Sequence, residues 1–237
     1  MVRAGTLRWV MFYVAVDRTS GRECIGRAVA SRSTDIFHDD NPAPVVCQLE
    51  HGGSIDPDIA VDPATGAFWL VWKTDDPAIG GTAEIWSGQL DSAVAHFVSA
   101  PGPLIGVDRD DEGLQVEAPQ LVGSAGQYWL VYSANAWDTS DYHVGAALCA
   151  SPAGPCNKLP GSWLDRSSGV DGPGSVSMLA DSAGQWFVAF HGWVNAVGYD
   201  AGGVRGMFVE RVTFAPDVVD LRPDLPRRGT PAVLPTA

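Results

Sequence analysis

Apolar residues along this chain fall in short runs punctuated by glycine, without the three-to-four spacing of an amphipathic helix. Four runs share one arrangement, a Gly turn followed by an aromatic-rich segment. They are Trp9-Val10-Met11-Phe12-Tyr13 after Ala4-Gly5 and Phe68-Trp69-Leu70-Val71-Trp72 after Thr65-Gly66. The others are Tyr128-Trp129-Leu130-Val131-Tyr132 after Ala125-Gly126 and Trp186-Phe187-Val188-Ala189-Phe190 after Ala183-Gly184. With Trp9, Trp69, Trp129 and Phe187 taken as equivalent, the intervals are 60, 60 and 58 residues. Another apolar strand precedes the turn in three copies (Ile55 to Val61, Val116 to Val122, Val176 to Ala180). A later strand follows in each copy: Cys24 to Ala30, Glu84 to Leu90, Tyr142 to Leu148 and Val204 to Phe214. Strand, Gly turn, aromatic strand, loop, strand, repeated at this period, predicts an all-β fold of propeller blades. The aromatic strands fill the gaps between stacked blades, which makes most of the nine tryptophans packing residues.

Composition agrees. The 237 residues include 27 Gly and 17 Pro, with only 18% charged residues. Turn-formers at that frequency exclude a helical bundle and a coiled coil. A net charge of −13 and the lack of any Lys/Arg-rich run argue against nucleic acid or an anionic membrane surface as partner. The longest apolar run, Trp9 to Val16, is far short of the roughly 20 residues of a spanning helix. Two lysines stand beside thirteen arginines, a bias attributed to genomic base composition and given no functional weight. Residues 215–237 are proline-rich without alternation and predict a tail or linker, leaving 1–214 as the propeller.

Two carboxylates interrupt apolar first strands just before a proline: Asp56 in Ile55-Asp56-Pro57 and Glu117 in Val116-Glu117-Ala118-Pro119. They lie 13 and 12 residues before Trp69 and Trp129, which predicts matching positions on adjacent inner strands. A carboxylate pointed into packing is costly, and pointing it into a water-filled central funnel removes that cost. Two such groups in one funnel repel one another, which favours the protonated form of one and makes it a candidate general acid. Counting back equally from Trp9 lands upstream of Met1, so the first copy is expected to lack part of its blade.

These motifs resemble glycoside hydrolase family 43, five-bladed propellers that hydrolyse arabinose- and xylose-containing glycans. Gly52-Gly53-Ser54-Ile55-Asp56-Pro57, running on to Phe68 through Lys73, is similar to the family's blade with the pKa-modulating aspartate. Val116-Glu117-Ala118-Pro119, with Tyr128 to Ser133 and Tyr142-His143-Val144-Gly145-Ala146-Ala147, resembles its general-acid blade. Gly172-Pro173-Gly174-Ser175, with Phe190-His191-Gly192-Trp193 and Gly202-Gly203-Val204-Arg205, resembles the closing blade. The resemblance implies that Glu117 protonates the leaving sugar oxygen of an inverting reaction. Asp56 would keep Glu117 protonated and help orient the substrate. Arg205 and His191 take supporting roles, although a histidine at position 191 fits a hydrogen-bonded core residue equally well.

The family's general base is an aspartate on its first blade, and no counterpart is identified in this sequence. The resemblance therefore implies a five-bladed fold represented by blades two to five, and impaired activity for this chain. Pro173 stands where many members have a histidine between two glycines near a central ion, so calcium is possible without a supporting motif. Asp108-Arg109-Asp110-Asp111-Glu112 likewise reads as a solvated loop with no cation spacing. The expected partner is a poly- or oligosaccharide, bound by a monomer without a cofactor. The alternative is a propeller that binds glycan or protein through the same funnel without catalysis.

The cysteines form two local pairs, Cys24 with Cys47 and Cys149 with Cys156, although three connectivities are formally possible. Without a Cys-x-x-Cys or His partner they favour disulfides, hence export, with a signal peptide expected upstream of Met1.

Overall fold

The computed structural model describes residues 1–4, 8–124, 126–212 and 214. The expected tail, residues 215–237, lies outside the described residues, and so does the turn glycine Gly5. Apart from short 3-10 turns, every described element is a strand.

Four antiparallel sheets follow one another along the chain. The first contains β1 (Val2–Ala4), β2 (Arg8–Val16), β3 (Glu23–Ala30) and β4 (His38–Asp39). The second contains β5 (Ser54–Val61), β6 (Phe68–Thr74), β7 (Glu84–Leu90) and β8 (Gly102–Gly106). The third contains β9 (Val116–Ser124), β10 (Gln127–Ala134), β11 (His143–Cys149) and β12 (Cys156–Lys158). The fourth contains β13 (Asp171–Ala180), β14 (Trp186–Val194) and β15 (Val204–Val212). Strand order equals chain order in each, the pattern of a propeller blade. Against the five-bladed expectation, the described residues form four blades. The inner-strand place beside β2 is taken by the three-residue β1, and the polar position counted back from Trp9 falls before it.

Both faces of the middle strands are buried, so they read as continuous apolar runs instead of alternating ones. In β6, Leu70 and Trp72 face the first sheet, joining Val10 and Ile25, whereas Val71 joins Leu121, Leu130 and Tyr132 of the third. In β10, Leu130 faces the second sheet and Val131 turns to Val176, Val188 and Phe190 of the fourth. The core is thus three layers between blades. Leu70, Val71, Leu130 and Val131 are all 0% exposed, so truncating any of them to alanine would cost about 2–4 kcal/mol.

Two disulfides are present, in the pairing that sequence proximity suggested. Cys149 and Cys156 face one another across the β11–β12 ladder. Cys24 on β3 is tied to Cys47, on the segment that enters the second blade.

Candidate active site

The inner strands β5, β9 and β13 break register at the same place. On β5, Ile55 pairs with Lys73 and Asp58 with Val71, leaving Asp56 and Pro57 together opposite Trp72. On β9, Glu117 pairs with Ser133 and Gln120 with Val131. On β13, Gly174 pairs with His191 and Ser177 with Ala189. One extra residue in a strand is a β-bulge, which bends the strand and re-aims its side chains. The first bulge residue is left-handed in all three: Asp56 at φ 53°, Ala118 at 46° and Ser175 at 50°. Holding a non-glycine residue there costs on the order of 1 kcal/mol each. Pro57 and Pro119 are admitted because a bulge leaves a backbone position without a ladder partner.

This geometry corrects the expected equivalence of the two carboxylates. Asp56 matches Ala118, and Glu117 matches Ile55, one position earlier. The count from the reference tryptophans misleads because the hairpins differ in length: Val61 pairs with Phe68, whereas Ser124 pairs with Gln127. The offset brings the two groups together instead of setting them side by side. The Ala118 N–H donates to Asp56 Oδ2 at 2.9 Å, so Asp56 reaches from the second blade to the backbone beside Glu117.

Glu117 is held on both oxygens. Tyr142 Oη donates to Oε1 at 2.7 Å, and Lys73 Nζ donates to Oε2 at 3.1 Å. Lys73 is 3% exposed and Glu117 14%. Burial, reinforced by the nearby Glu117 charge, pushes the Tyr142 phenol far above its ordinary range and keeps it a proton donor. Burial also raises the pKa of Asp56. The Ala118 N–H and the Lys73 ammonium oppose that rise, and the Glu117 charge adds to it. Asp56, Asp58, Ala118, Gln120, Ser175 and Ser177, from the bulged stretches of three inner strands, line a cavity of about 220 Å³. Enclosure raises the Asp58 pKa to about 6, partly offset by the Ile59 N–H.

A second layer fixes Tyr142. A Cβ on Gly174 would collide with the Tyr142 ring, so only glycine lets β13 approach it. The His191 ring stacks on Tyr142 at 6.2 Å and 10°. Arg205 hydrogen-bonds to His191, donates to Gly172 O at 2.9 Å, and lies 5.8 Å over Tyr142 and 4.9 Å over Trp193. Burial lowers the Arg205 pKa. Arg205 and His191 therefore touch the residue that touches Glu117. All four residues singled out in the sequence meet in this one region.

Three contributors escaped the sequence reading: Lys73, Tyr142 and Asp58. Lys73 had a signal, since it is one of only two lysines and ends an apolar strand. The second lysine is buried too. Lys158 Nζ donates to both carboxylate oxygens of Glu112 at 2.7 Å and to Gly106 O at 2.6 Å. Glu112 is 1% exposed and also accepts from Tyr132 Oη at 3.1 Å. The segment read as a solvated loop thus ends in a buried carboxylate that locks the second blade to the third, with an ammonium as its cation. Among the described residues, no group of three or more His, Cys, Asp or Glu is placed to hold a metal ion.

The profile of glycosyl hydrolases family 43 matches residues 3–219. Among solved structures, a thermostable family-43 glycoside hydrolase superposes with a TM-score of 0.81 at 24% identity, covering 96% of this chain and 74% of that one. An endo-1,4-beta-xylanase from Bacteroides thetaiotaomicron has a TM-score of 0.69 at 20% identity, covering 90% and 76%. An alpha-L-arabinofuranosidase from Lactobacillus brevis has a TM-score of 0.69 at 19% identity, covering 91% and 71%. No curated protein matches. The profile match spans nearly the whole chain and the propeller is shared, so this chain belongs to glycosyl hydrolases family 43.

Proposed function

We propose that this glycoside hydrolase cleaves O-glycosidic bonds in arabinose- or xylose-containing glycans by inversion, with Glu117 as general acid. The observation that carries this reading is the bulge geometry, which delivers Asp56, at the wall of a central cavity, to the Ala118 N–H beside Glu117 of the next blade. Asp56 is the modulating carboxylate that disfavours a second negative charge beside it. Arg205 and His191 support the acid through Tyr142. The water-activating base of an inverting reaction stands about 6.5–9.5 Å from the acid. Two disulfides support an exported protein.

A reading as a glycan-binding propeller without turnover draws on a different observation. Both Glu117 oxygens are already acceptors, one of them from an ammonium. Hydrolysis of aryl arabinofuranosides and xylosides separates the two. The hydrolase reading expects turnover that falls at least 100-fold in Glu117→Gln and Asp56→Asn, while ligand binding survives. Ligand binding with no detectable turnover would sink it.

A further inference from the structure

Of the nine tryptophans, Trp137 is the one in an exposed setting, at 47%. It stands in the β10–β11 loop, which leaves the sheet at the same end as Glu117, since Ala134 pairs with Val116 and Ser133 with Glu117. Its ring stacks on Trp193 at 6.2 Å and 21°, and Tyr199, 59% exposed, closes on both rings at 6.1 and 5.0 Å. Trp193 and Tyr199 come from the fourth blade, so the cluster bridges the mouth between two blades. It is also contiguous with the acid. Arg205 lies 4.9 Å over Trp193 and 5.8 Å over Tyr142, and Tyr142 donates to Glu117 at 2.7 Å.

The exposed rings are held in place before any ligand arrives. Trp193 Nε1 and Arg205 both donate to Trp137 O at 3.3 Å, and Thr139 Oγ1 closes the same loop on Ala136 O at 2.8 Å. Around Tyr199, the N–H groups of Gly202 and Gly203 donate to Tyr199 O and Gly198 O, both at 2.9 Å. Gly203 is required there, because a Cβ would strike Ala196 O. Exposed aromatic rings fixed this firmly cost apolar hydration without contributing to the blade core, yet they lose little entropy on binding.

We propose that Trp137 and Tyr199 form a sugar-stacking platform that binds a ring of the glycan chain outside the cleavage point. The axial C–H groups of a pyranose or furanose carry partial positive charge and suit the negative face of an aromatic ring. Exposed Asp138 and Asp200, each next in the chain after a platform ring, offer acceptors for sugar hydroxyls at its rim. The net charge of −13 disfavours an anionic occupant, which leaves a neutral glycan. This inference deepens the proposed function and rests on it for the class of sugar.

The test titrates the chain with xylo- and arabino-oligosaccharides of increasing length, following tryptophan fluorescence and calorimetric heat, with thermal melting as a check on folding. Trp137→Ala and Tyr199→Ala are each expected to weaken binding of the longer oligosaccharides about tenfold. Binding of free xylose or arabinose should change less than about twofold, and Trp137→Phe should recover most of the loss. Saturable, platform-dependent binding supports the platform whether or not turnover accompanies it, and turnover alone bears on the hydrolase reading. Equal affinities in all variants, or no binding by the unaltered chain, would overturn the platform.

Discussion

Lys73 of the second blade and Glu117 of the third form an ion pair at 3.1 Å, with the lysine 3% exposed. Two charges removed from water are tolerable only while each compensates the other. Glu117→Leu leaves the ammonium without its carboxylate and is expected to cost about 3 kcal/mol or more of stability. Glu117→Gln, whose amide oxygen still accepts, should cost about 1–2 kcal/mol. Adding Lys73→Met to Glu117→Leu should recover much of the loss. Urea unfolding of the three variants measures this, and a double variant no more stable than the worse single one would contradict it.

Glu112 invites the same reasoning in a deeper setting. It is 1% exposed and gathers Lys158, Tyr132 and the N–H groups of Asp108 and Arg109. Glu112→Ala removes the buried partner of a lysine that is 8% exposed in its side chain and leaves it only Asp108, whose side chain is 68% exposed, and Gly106 O, so it should destabilise by about 2–3 kcal/mol. Asp111→Ala, nearby but with a side chain 48% exposed, should cost less than about 1 kcal/mol. Guanidinium midpoints for the pair test the contrast.

The contrast between these aspartate and glutamate positions marks where the sequence stops being readable. Blade repeats were legible because burial on both faces demands long apolar runs, and Trp69 and Trp129 recur at the interval that the ladders impose. Asp56 and Glu117 were legible because a carboxylate before proline is costly on an apolar strand. Their offset was not, since it depends on hairpin lengths and bulges that leave no compositional mark. Tyr142 and Glu112 were hidden for another reason. A tyrosine and a run of acids look the same whether they face solvent or a buried partner distant in the chain. Only topology brings Lys158 to Glu112 and Tyr142 to Glu117.

Asp58 should govern part of the pH dependence of stability. Its carboxyl faces a narrow cavity, and enclosure raises its pKa from 3.8 to about 6. The folded state therefore holds the proton more tightly than the unfolded chain. The resulting stabilisation is complete below about pH 3.8 and is lost as pH rises through about 6. Asp56, raised by burial, acts in the same direction. Asp58→Asn is expected to raise stability at pH 7 by on the order of 1–3 kcal/mol and to leave it little changed near pH 4. Melting curves across that range decide the matter, and a pH-independent difference between variant and parent would refute it.

The two disulfides should differ in weight because they close loops of different length. Cys24 and Cys47 are 23 residues apart, and Cys149 and Cys156 are 7 apart. Loop-closure entropy then assigns about 3.5 kcal/mol to the first and about 2.5 to the second. Paired Cys→Ser variants are expected to show the larger loss of melting temperature for Cys24–Cys47. The reverse order would mean that native packing around Cys149, on the β11–β12 ladder, outweighs chain entropy.

Gly174 offers the sharpest test of how the acid is held. A methyl group there collides with the Tyr142 ring, whose hydroxyl donates to Glu117 and whose face supports His191. The ring is buried at 0% exposure and cannot swing into solvent, so Gly174→Ala must push it or β13 aside. Overpacking of this kind costs about 1–3 kcal/mol of stability. Its effect on turnover should be larger than that of Tyr142→Phe, which removes one hydrogen bond but leaves the ring in place. We expect Tyr142→Phe to lower kcat about tenfold with KM little changed, and Gly174→Ala to lower it about 100-fold. In a Tyr142→Ala background, where the ring is absent, Gly174→Ala should cost little further stability. An equal loss with and without the ring would show that Gly174 answers to the bulge at Ser175 and not to Tyr142.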